Sequence, residues 1–193
     1  MTTTSAATPT WNTLLVEQLD FHWQHQLRPR LDGLTDEEYL WEPVSGSWNV
    51  RPRGTSTAPV QGGSGDYTID FAWPEPEPAP VTTIAWRLGH LIVGVLGARV
   101  AGHFEGPPVD YLEWDYSGTA AGALAQLDEV YVAWAAGVRS LTDRELDEPC
   151  GPTEGDWSEH PMSGLVLHIN REVIHHGAEI ALLRDLYAHR SDP

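Results

Sequence analysis

Hydrophobic residues recur along the chain with the spacing of amphipathic helices. The first run returns at every fourth position: Trp11, Leu15, Leu19, Trp23, Leu27 and Leu31. This spacing stacks side chains on one face of a helix. It predicts a first helix from about Trp11 toward Leu31, which Pro29 should bend or end because proline has no backbone N–H to donate.

Three further helices follow from the same criterion. Their predicted limits are a cap at Thr82 or Thr83 to the Gly106-Pro-Pro108 break, Thr119 to Ser140, and a Ser163 cap to about His189. Side-chain oxygens at these starts can accept the free N–H groups of a first turn. The pattern predicts an all-α fold, a four-helix bundle in a single domain over residues 1–193.

Residues 42–80 break the helical pattern. Proline and glycine recur throughout this segment, and no long periodic run survives. We therefore expect one long crossover loop between helices one and two, of the kind that is usually functional or disordered. Within it, residues 67–73 alternate well enough for a short β-strand or hairpin. Residues 1–10 are expected to form a flexible N-terminus.

A similar phrase follows helices one and three. Residues 34–43 read LTDEEYLWEP, and residues 141–149 read LTDRELDEP. Each has a threonine with a glutamate three positions later, the capping box that begins a short helical turn. The repeat favours two helix pairs related by a pseudo-twofold axis, although chance can also produce a similarity of this length.

Charge and cysteine content narrow the classes of function. The net charge is −17, and all eleven basic residues are arginine. Binding to nucleic acid or to an anionic membrane needs basic patches, so neither is an expected partner. The only cysteine, Cys150, cannot form an internal disulfide, which favours the cytoplasm. We find no signal peptide and no stretch of about twenty apolar residues.

Glu172 lies at the centre of the apolar face of the predicted last helix. On a wheel of about 100° per residue, its neighbours on that face are Leu165, His168, Ile169, His176, Glu179, Ile180, Leu183 and Tyr187. A lone carboxylate buried in an apolar bundle takes up a proton or binds a cation. Because imidazoles lie one turn away on both sides, a metal ion is the favoured partner.

A third ligand has to come from a facing helix, and His90 of helix two is the best candidate. The alternative is a core histidine that bonds to a nearby carbonyl or carboxylate. The predicted metal ligands are therefore His90, Glu172 and His176. His168 is either a partner that orients these ligands, an additional ligand, or a polar residue bonded within the bundle.

The other histidines have weaker assignments. His22 can face the cavity because it follows Leu19 by three residues, and the roles of His25 and His175 stay open. The remaining three lie near predicted helix ends, where a surface position is the default: His103, His160 and His189.

The run Arg171–Ile180, together with Gly89-His90-Leu91, resembles the DinB-like superfamily. Members of that superfamily are four-helix bundles that hold a metal between one histidine of the second helix and two last-helix ligands spaced by four. In its mycothiol-dependent maleylpyruvate isomerase branch, the first of these two ligands is a glutamate. Glu172 and His176 match that pair, and His90 matches the histidine of the second helix.

The resemblance implies a metal-dependent thiol S-transferase with mycothiol or a similar small thiol as cosubstrate. Isomerases of that branch carry a further C-terminal domain that contributes to the substrate pocket, whereas this chain ends shortly after Tyr187. Isomerase activity itself is therefore not expected. The all-arginine, alanine-rich and tryptophan-rich composition is typical of actinobacterial proteins, in which mycothiol would be the available thiol.

Three hypotheses on function remain open from the sequence. In the first, a thiol binds the open metal position as its nucleophilic thiolate and attacks an electrophile. In the second, the chain is a non-catalytic metal-binding or ligand-binding module. In the third, the metal assists hydrolysis while Glu179 or His168 moves protons. Two imidazoles and a carboxylate suit zinc first, with nickel, iron or manganese as alternatives.

Two features outside the metal ligands complete the sequence hypotheses. Residues of the crossover could wall the open side of the site and orient the cosubstrate, although a simple packing flap explains them equally well: Trp48, Arg51, Arg53, Tyr67 and Trp73. Nine tryptophans exceed what one small core readily buries, so a homodimer is a further expectation, to be checked by light scattering.

Overall fold

The computed structural model describes residues 9–190 of the chain. Its helices are α1 over residues 11–30, α2 Asp36–Tyr39, α3 Ile84–His103, α4 Ala120–Ser140, α5 Asp143–Asp147 and α6 Met162–Ala188, with a 3-10 turn at Pro152–Trp157. Its strands are β1 Val50–Pro52, β2 Val60–Gly62 and β3 Tyr67–Phe71. The fold is thus predominantly helical with one small sheet, as predicted. The expected flexible N-terminus lies outside the described residues as far as residue 8.

The limits of the long helices follow their caps. Thr83 and Thr119 have extended backbones, and their hydroxyls accept N–H groups from the first turns of α3 and α4. The predicted cap at Ser163 is wrong, because Pro161 occupies the N-cap position of α6 and the helix already begins at Met162. Pro29 lies in the last turn of α1, which ends one residue later.

The four long helices pack in an order that explains the crossover. Helix α1 packs against α4 and α6, and α3 packs against the same two helices. Helices α1 and α3 therefore occupy opposite corners of the bundle, and the chain between them must cross from one corner to the other. Trp23 of α1 stacks on Tyr131 of α4 at 3.7 Å between ring centroids. Asn170 of α6, which is buried, donates to the carbonyl of Leu15.

The crossover is ordered as an antiparallel sheet with strand order β1-β3-β2. The predicted strand is confirmed as β3, the central one. Its Asp70 is buried and accepts hydrogen bonds from the backbone N–H of Asn49, from Arg51 and from the hydroxyl of Ser56. A buried carboxylate needs such partners, and Asp70 thereby joins the sheet to the chain before it. The sheet packs on the first half of α3.

The two similar phrases both form short helices, but their glutamates differ. In α5, Glu145 accepts from both the N–H and the hydroxyl of Thr142, which completes the capping box. In α2, Thr35 accepts the N–H of Glu38, but the carboxylate turns inward and binds Arg184 of α6 in two hydrogen bonds of 2.7 and 3.1 Å. The second phrase therefore caps a surface helix, and the first joins α2 to α6.

Helix α3 passes the composition and length test for a membrane span. Of its most apolar window, however, 67% is buried inside the protein. We expected no apolar stretch of about twenty residues, and α3 is one by length and mean hydropathy. Its burial identifies α3 as a core helix. A cytoplasmic location stays a prediction.

The tryptophans are divided between core and surface. Trp23, Trp86 and Trp134 are buried, whereas Trp11 and Trp73 are 71% and 89% exposed. Trp11 was expected on the buried stripe of α1, but it is the first residue of that helix and extends past the packed face. The homodimer stays a prediction.

Replacing Glu38 by Gln should lower the free energy of unfolding by about 3 kcal/mol, because it leaves the half-buried Arg184 guanidinium without its counter-charge. The matched change is Glu145→Gln, which should cost far less because glutamine also completes a capping box. Urea denaturation of both variants measures the difference. Equal losses would show that the Glu38 carboxylate contributes no more than a cap.

Candidate metal site

Where α3 meets α6, His176 lies close to each of the other two predicted ligands. The imidazole rings of His90 and His176 lie edge to face, with 4.8 Å between their centroids and 86° between their planes. The Nε2 atom of His176 lies 3.6 Å from Oε2 of Glu172. His176 is 7% exposed, so it is the buried centre of the group.

The helical wheel of the last helix wrongly predicted Glu172 at the centre of the buried face of α6. The buried face of that helix is centred near Val173, and the Glu172 side chain retains 26% exposure. Glu172 therefore lies about a quarter turn from the middle of the buried stripe, at its edge. The wheel was biased because it counted polar site residues as part of the core. At the edge, the carboxylate is partly open to solvent.

Glu179 holds the second nitrogen of His176. Its Oε2 lies 2.6 Å from Nδ1 of His176 and 3.2 Å from the Arg87 guanidinium. A carboxylate can only accept, so Nδ1–H of His176 donates and the lone pair is on Nε2, on the side of Glu172. A ligand histidine in proteins usually has such an outer partner.

Tyr111 contacts Nδ1 of His90, as Glu179 contacts Nδ1 of His176. Its hydroxyl lies 2.6 Å from Nδ1 of His90, and burial raises the pKa of Tyr111, which keeps the phenol protonated. The phenol oxygen can accept Nδ1–H, which leaves the lone pair of His90 on Nε2. Gly94 makes room for this contact, since a Cβ there would lie 1.8 Å from the Tyr111 oxygen. The sequence carried no signal for Tyr111, which lies on a loop outside any periodic run.

Aromatic side chains close one flank of His90. Trp86 stacks on its ring at 5.6 Å, and Trp48 and Phe71 of the crossover pack on Trp86. Of the crossover residues expected to wall the site, Trp48 packs on Trp86, which in turn stacks on His90. The two crossover arginines have other partners. Arg51 pairs with Asp70 and Glu42, and Arg53 bonds to loop carbonyls: Gly63 and Gly65.

Helix α3 changes its winding at His90. Residues Leu91–Gly97 form a π-helical segment that begins directly after this histidine, and the segment Trp23–Leu27 of α1 begins in the same way after His22. Wider turns of this type are frequent at functional sites because they re-aim side chains. Only the first of the two histidines lies at the candidate site.

His176 is shared by two sets of donor atoms. One set is His90, Glu172 and Nε2 of His176. The other is His175, Glu179 and Nδ1 of His176, whose ligand atoms lie within 4.8 Å of one another. The Arg87 guanidinium lies 3.3 Å from Nδ1 of His176 and repels a cation on that side. The chemistry of the donors therefore fits a divalent ion better on the Nε2 side.

The remaining histidines lie outside this group. His168 is one turn from Glu172, with 3.5 Å between Nδ1 and Oε1, and its side chain is 42% exposed. The buried Nε2 of His22 faces Gly177, on another side of α6, and has no hydrogen-bond partner within residues 9–190. His25 packs against Phe21 at the surface, with the two rings tilted by 53°.

His103 is not the surface residue that its position suggested. Its side chain is 5% exposed and lies 2.9 Å from the carboxylate of Glu154. His160 and His189 are exposed, as expected.

Electrostatics keep His90 uncharged at neutral pH. Burial, together with the neighbouring His176 and Arg87, lowers its pKa from 6.5 to about 4. A neutral imidazole is the form that binds a metal ion.

Comparison with known proteins places the chain in a family. A family model for the DinB superfamily matches residues 57–180, a span that includes His90, Glu172 and His176. No curated protein and no solved structure gave a significant match.

The metal-free protein should lose stability as the pH falls from 6.5 to 4. Over this window the unfolded chain binds a proton at His90 that the folded chain rejects, which lowers the free energy of unfolding by at most about 3 kcal/mol. His90→Gln should flatten this part of the profile, and the exposed His25→Gln should not. Denaturation at several pH values in the presence of a chelator measures both. An unchanged slope in His90→Gln would contradict the assignment.

Proposed function

The chain belongs to the DinB superfamily, and from that premise we propose that it is a metal-dependent thiol S-transferase. In this proposal His90, Glu172 and His176 bind one divalent ion. The observation that carries it is the arrangement of the two imidazoles. Tyr111 lies 2.6 Å from Nδ1 of His90, and Glu179 lies 2.6 Å from Nδ1 of His176. Both Nε2 atoms are thereby left for a common partner beside a carboxylate.

Three protein ligands leave open positions, as in catalytic metal sites. The bound ion would supply a Lewis-acidic position at which a small thiol is held as its thiolate. The residues around it do the positioning: Glu179 and Tyr111 fix the two imidazole rings, and Trp86 covers His90 from solvent. Zinc is the favoured ion, and nickel, iron and manganese suit the same donors.

The protein's own thiol is unsuited to be the nucleophile. Cys150 is 7% exposed and lies 3.2 Å from the carbonyl of Trp157, to which its thiol donates. Burial raises the pKa of Cys150, which lowers the fraction present as reactive thiolate. A sulfur nucleophile would therefore come from a cosubstrate, and mycothiol or a related small thiol is the proposed source. Its sulfur would bond to the electrophilic carbon as the leaving group departs with its electron pair.

The environment of Glu179 disfavours the form of hydrolysis in which this residue is the general base. A general base for water would need a free carboxylate near the open position. Glu179 instead contacts Nδ1 of His176 and the Arg87 guanidinium, on the side of the imidazole away from Glu172. A non-catalytic metal-binding module remains the outcome if no thiol is activated.

Removing any of the three ligands should abolish retention of the metal. His90→Ala, Glu172→Ala and His176→Ala are each expected to lose bound ion on dialysis, because the remaining two ligands bind far more weakly. Glu179→Gln should weaken binding by about 10- to 100-fold, because the second nitrogen of His176 loses its charged partner. Elemental analysis of the dialysed proteins measures this.

The matched control for these variants is His189→Ala, an exposed histidine at the end of the same helix. It should keep the metal content of the unmodified protein. Unchanged metal content in His90→Ala would exclude the proposed ligand set. Loss in Glu179→Gln and His175→Ala with retention in Glu172→Ala would move the ion to the other side of His176.

A thiol should bind the open position of the metal. Titrating the cobalt-substituted protein with mycothiol should add a sulfur-to-metal charge-transfer band in the near ultraviolet, and the band should be absent in His176→Ala. Because the ion lowers the pKa of the thiol, binding at neutral pH should also release a proton, measured as a dependence of the binding heat on the buffer. If mycothiol, bacillithiol and glutathione all fail to give a band, the chain is a binding module and not a transferase.

A further inference from the structure

A second group of donor atoms lies on the Nδ1 side of His176, away from Glu172. It consists of Nδ1 of His176 and side-chain atoms of His175 and Glu179, and its ligand atoms all lie within 4.8 Å of one another. No other such group is found among residues 9–190. Two imidazoles and a carboxylate are also the donor types of the proposed site. The closest set of donors is thus not the set that the sequence predicted, and the difference needs a physical cause.

The Arg87 guanidinium already occupies this side of the imidazole. Its Nη1 atom lies 3.2 Å from Oε2 of Glu179 and 3.3 Å from Nδ1 of His176. The guanidinium and the Nδ1–H group can only donate, so both are directed at the Glu179 carboxylate, which accepts from them. A positive charge is therefore held within 3.3 Å of two of the three donor residues.

Packing holds the guanidinium in this position. Arg87 lies three residues before His90 on α3, its side chain is 22% exposed, and its guanidinium carbon lies 5.5 Å from the centre of the Trp86 ring. An arginine in a protein does not lose its proton. Because the contact is largely buried, its repulsion of a second cation is screened less than it would be at the surface.

Hydrogen bonding does not account for an arginine at this position. The Nε atom of Arg87 is buried and has no hydrogen-bond partner within the described chain, and an unpaired buried N–H group lowers stability. Glu179 would also keep a donor without Arg87, because it still accepts Nδ1–H of His176. What Arg87 adds to this contact is its charge.

We propose that Arg87 is a built-in cation that blocks a latent second metal site at His175, Glu179 and Nδ1 of His176. It thereby selects the Nε2 side of His176 for the divalent ion. This inference rests on the ligand set of the proposed function and adds the residue that decides between two competing sets. With a neutral residue in place of Arg87, an ion could bind on either side of the ring. It could not bind on both sides at once, because a neutral imidazole has a single lone pair.

The test removes the proposed site and then unblocks the latent one. Glu172→Ala alone is expected to lose zinc. The double variant Glu172→Ala, Arg87→Met should bind zinc at least about tenfold more tightly than Glu172→Ala, because the repelling charge is gone. Competition with a chromogenic zinc chelator measures both affinities. Equal affinities of the two folded proteins would overturn the proposal.

Two controls identify where the regained zinc binds. Adding His175→Ala to the double variant should abolish the regained affinity, since His175 belongs only to the latent site. Replacing Arg99 by Met, instead of Arg87, should regain no affinity, although Arg99 also lies on α3 and also pairs with a carboxylate. Regained zinc that survives His175→Ala, or that returns with Arg99→Met, would contradict the role of Arg87.

Two further variants keep the test independent of how well Arg87→Met folds. Arg87→Gln also removes the charge and keeps a polar side chain, so either double variant with an intact thermal transition gives the result. In the otherwise unmodified chain, His175→Ala should leave the zinc affinity unchanged, because Arg87 blocks the site to which His175 belongs. A lower affinity in His175→Ala would overturn the proposal without any change at Arg87.

The same measurements separate this proposal from the proposed function. If Glu172→Ala retains zinc and His175→Ala loses it, the ion binds on the Nδ1 side, and both the ligand set and the role of Arg87 are wrong. If Glu172→Ala loses zinc and no folded double variant regains it, only the role of Arg87 is wrong. A missing thiol band in the cobalt protein would reject the transferase and leave these zinc affinities as expected.

Discussion

His176 reaches across the interface between α6 and α3 with both edges of its ring engaged. Its Nδ1 donates to Glu179, and its Nε2 faces Glu172 at 3.6 Å. A buried imidazole that rotated would lose these partners and gain none, at the cost of a buried polar group. The edge-to-face contact with His90 depends on this fixed ring. Because the contact joins α3 to α6, any change in their packing changes the distance between His90 and the two proposed ligands of α6.

Small residues around His90 let other parts of the chain approach α3. At Gly89 a Cβ would lie 2.9 Å from Ile69 of β3, and at Gly94 it would collide with the Tyr111 hydroxyl. The central strand and the loop that carries Tyr111 can therefore touch the helix directly. Asp70 fixes the sheet through buried hydrogen bonds. The long crossover thus supports the site through packing and hydrogen bonds, although its own arginines do not face the metal ligands.

Two arginines of α3 lie near the candidate site in a strongly acidic protein. Arg87 and Arg99 lie on either side of His90 and both help to lower its pKa. Arg87 is paired with Glu179 beside His176, and Arg99 is paired with Glu154. Each arginine is thus held by a counter-charge, one beside His176 and the other at the far end of the helix.

The sequence by itself determined the features that depend on local spacing. Periodicity predicted the four long helices and the central strand, and the i, i+4 pair of Glu172 and His176 follows from helical geometry alone. Tertiary structure decided what no local pattern encodes. Tyr111 reaches His90 from a loop, and Arg87 contacts a residue 89 positions away. The wheel also misplaced Glu172, because hydrophobic periodicity does not distinguish the centre of a buried face from its partly exposed edge. Only the packing of α3 on α6 separates the two.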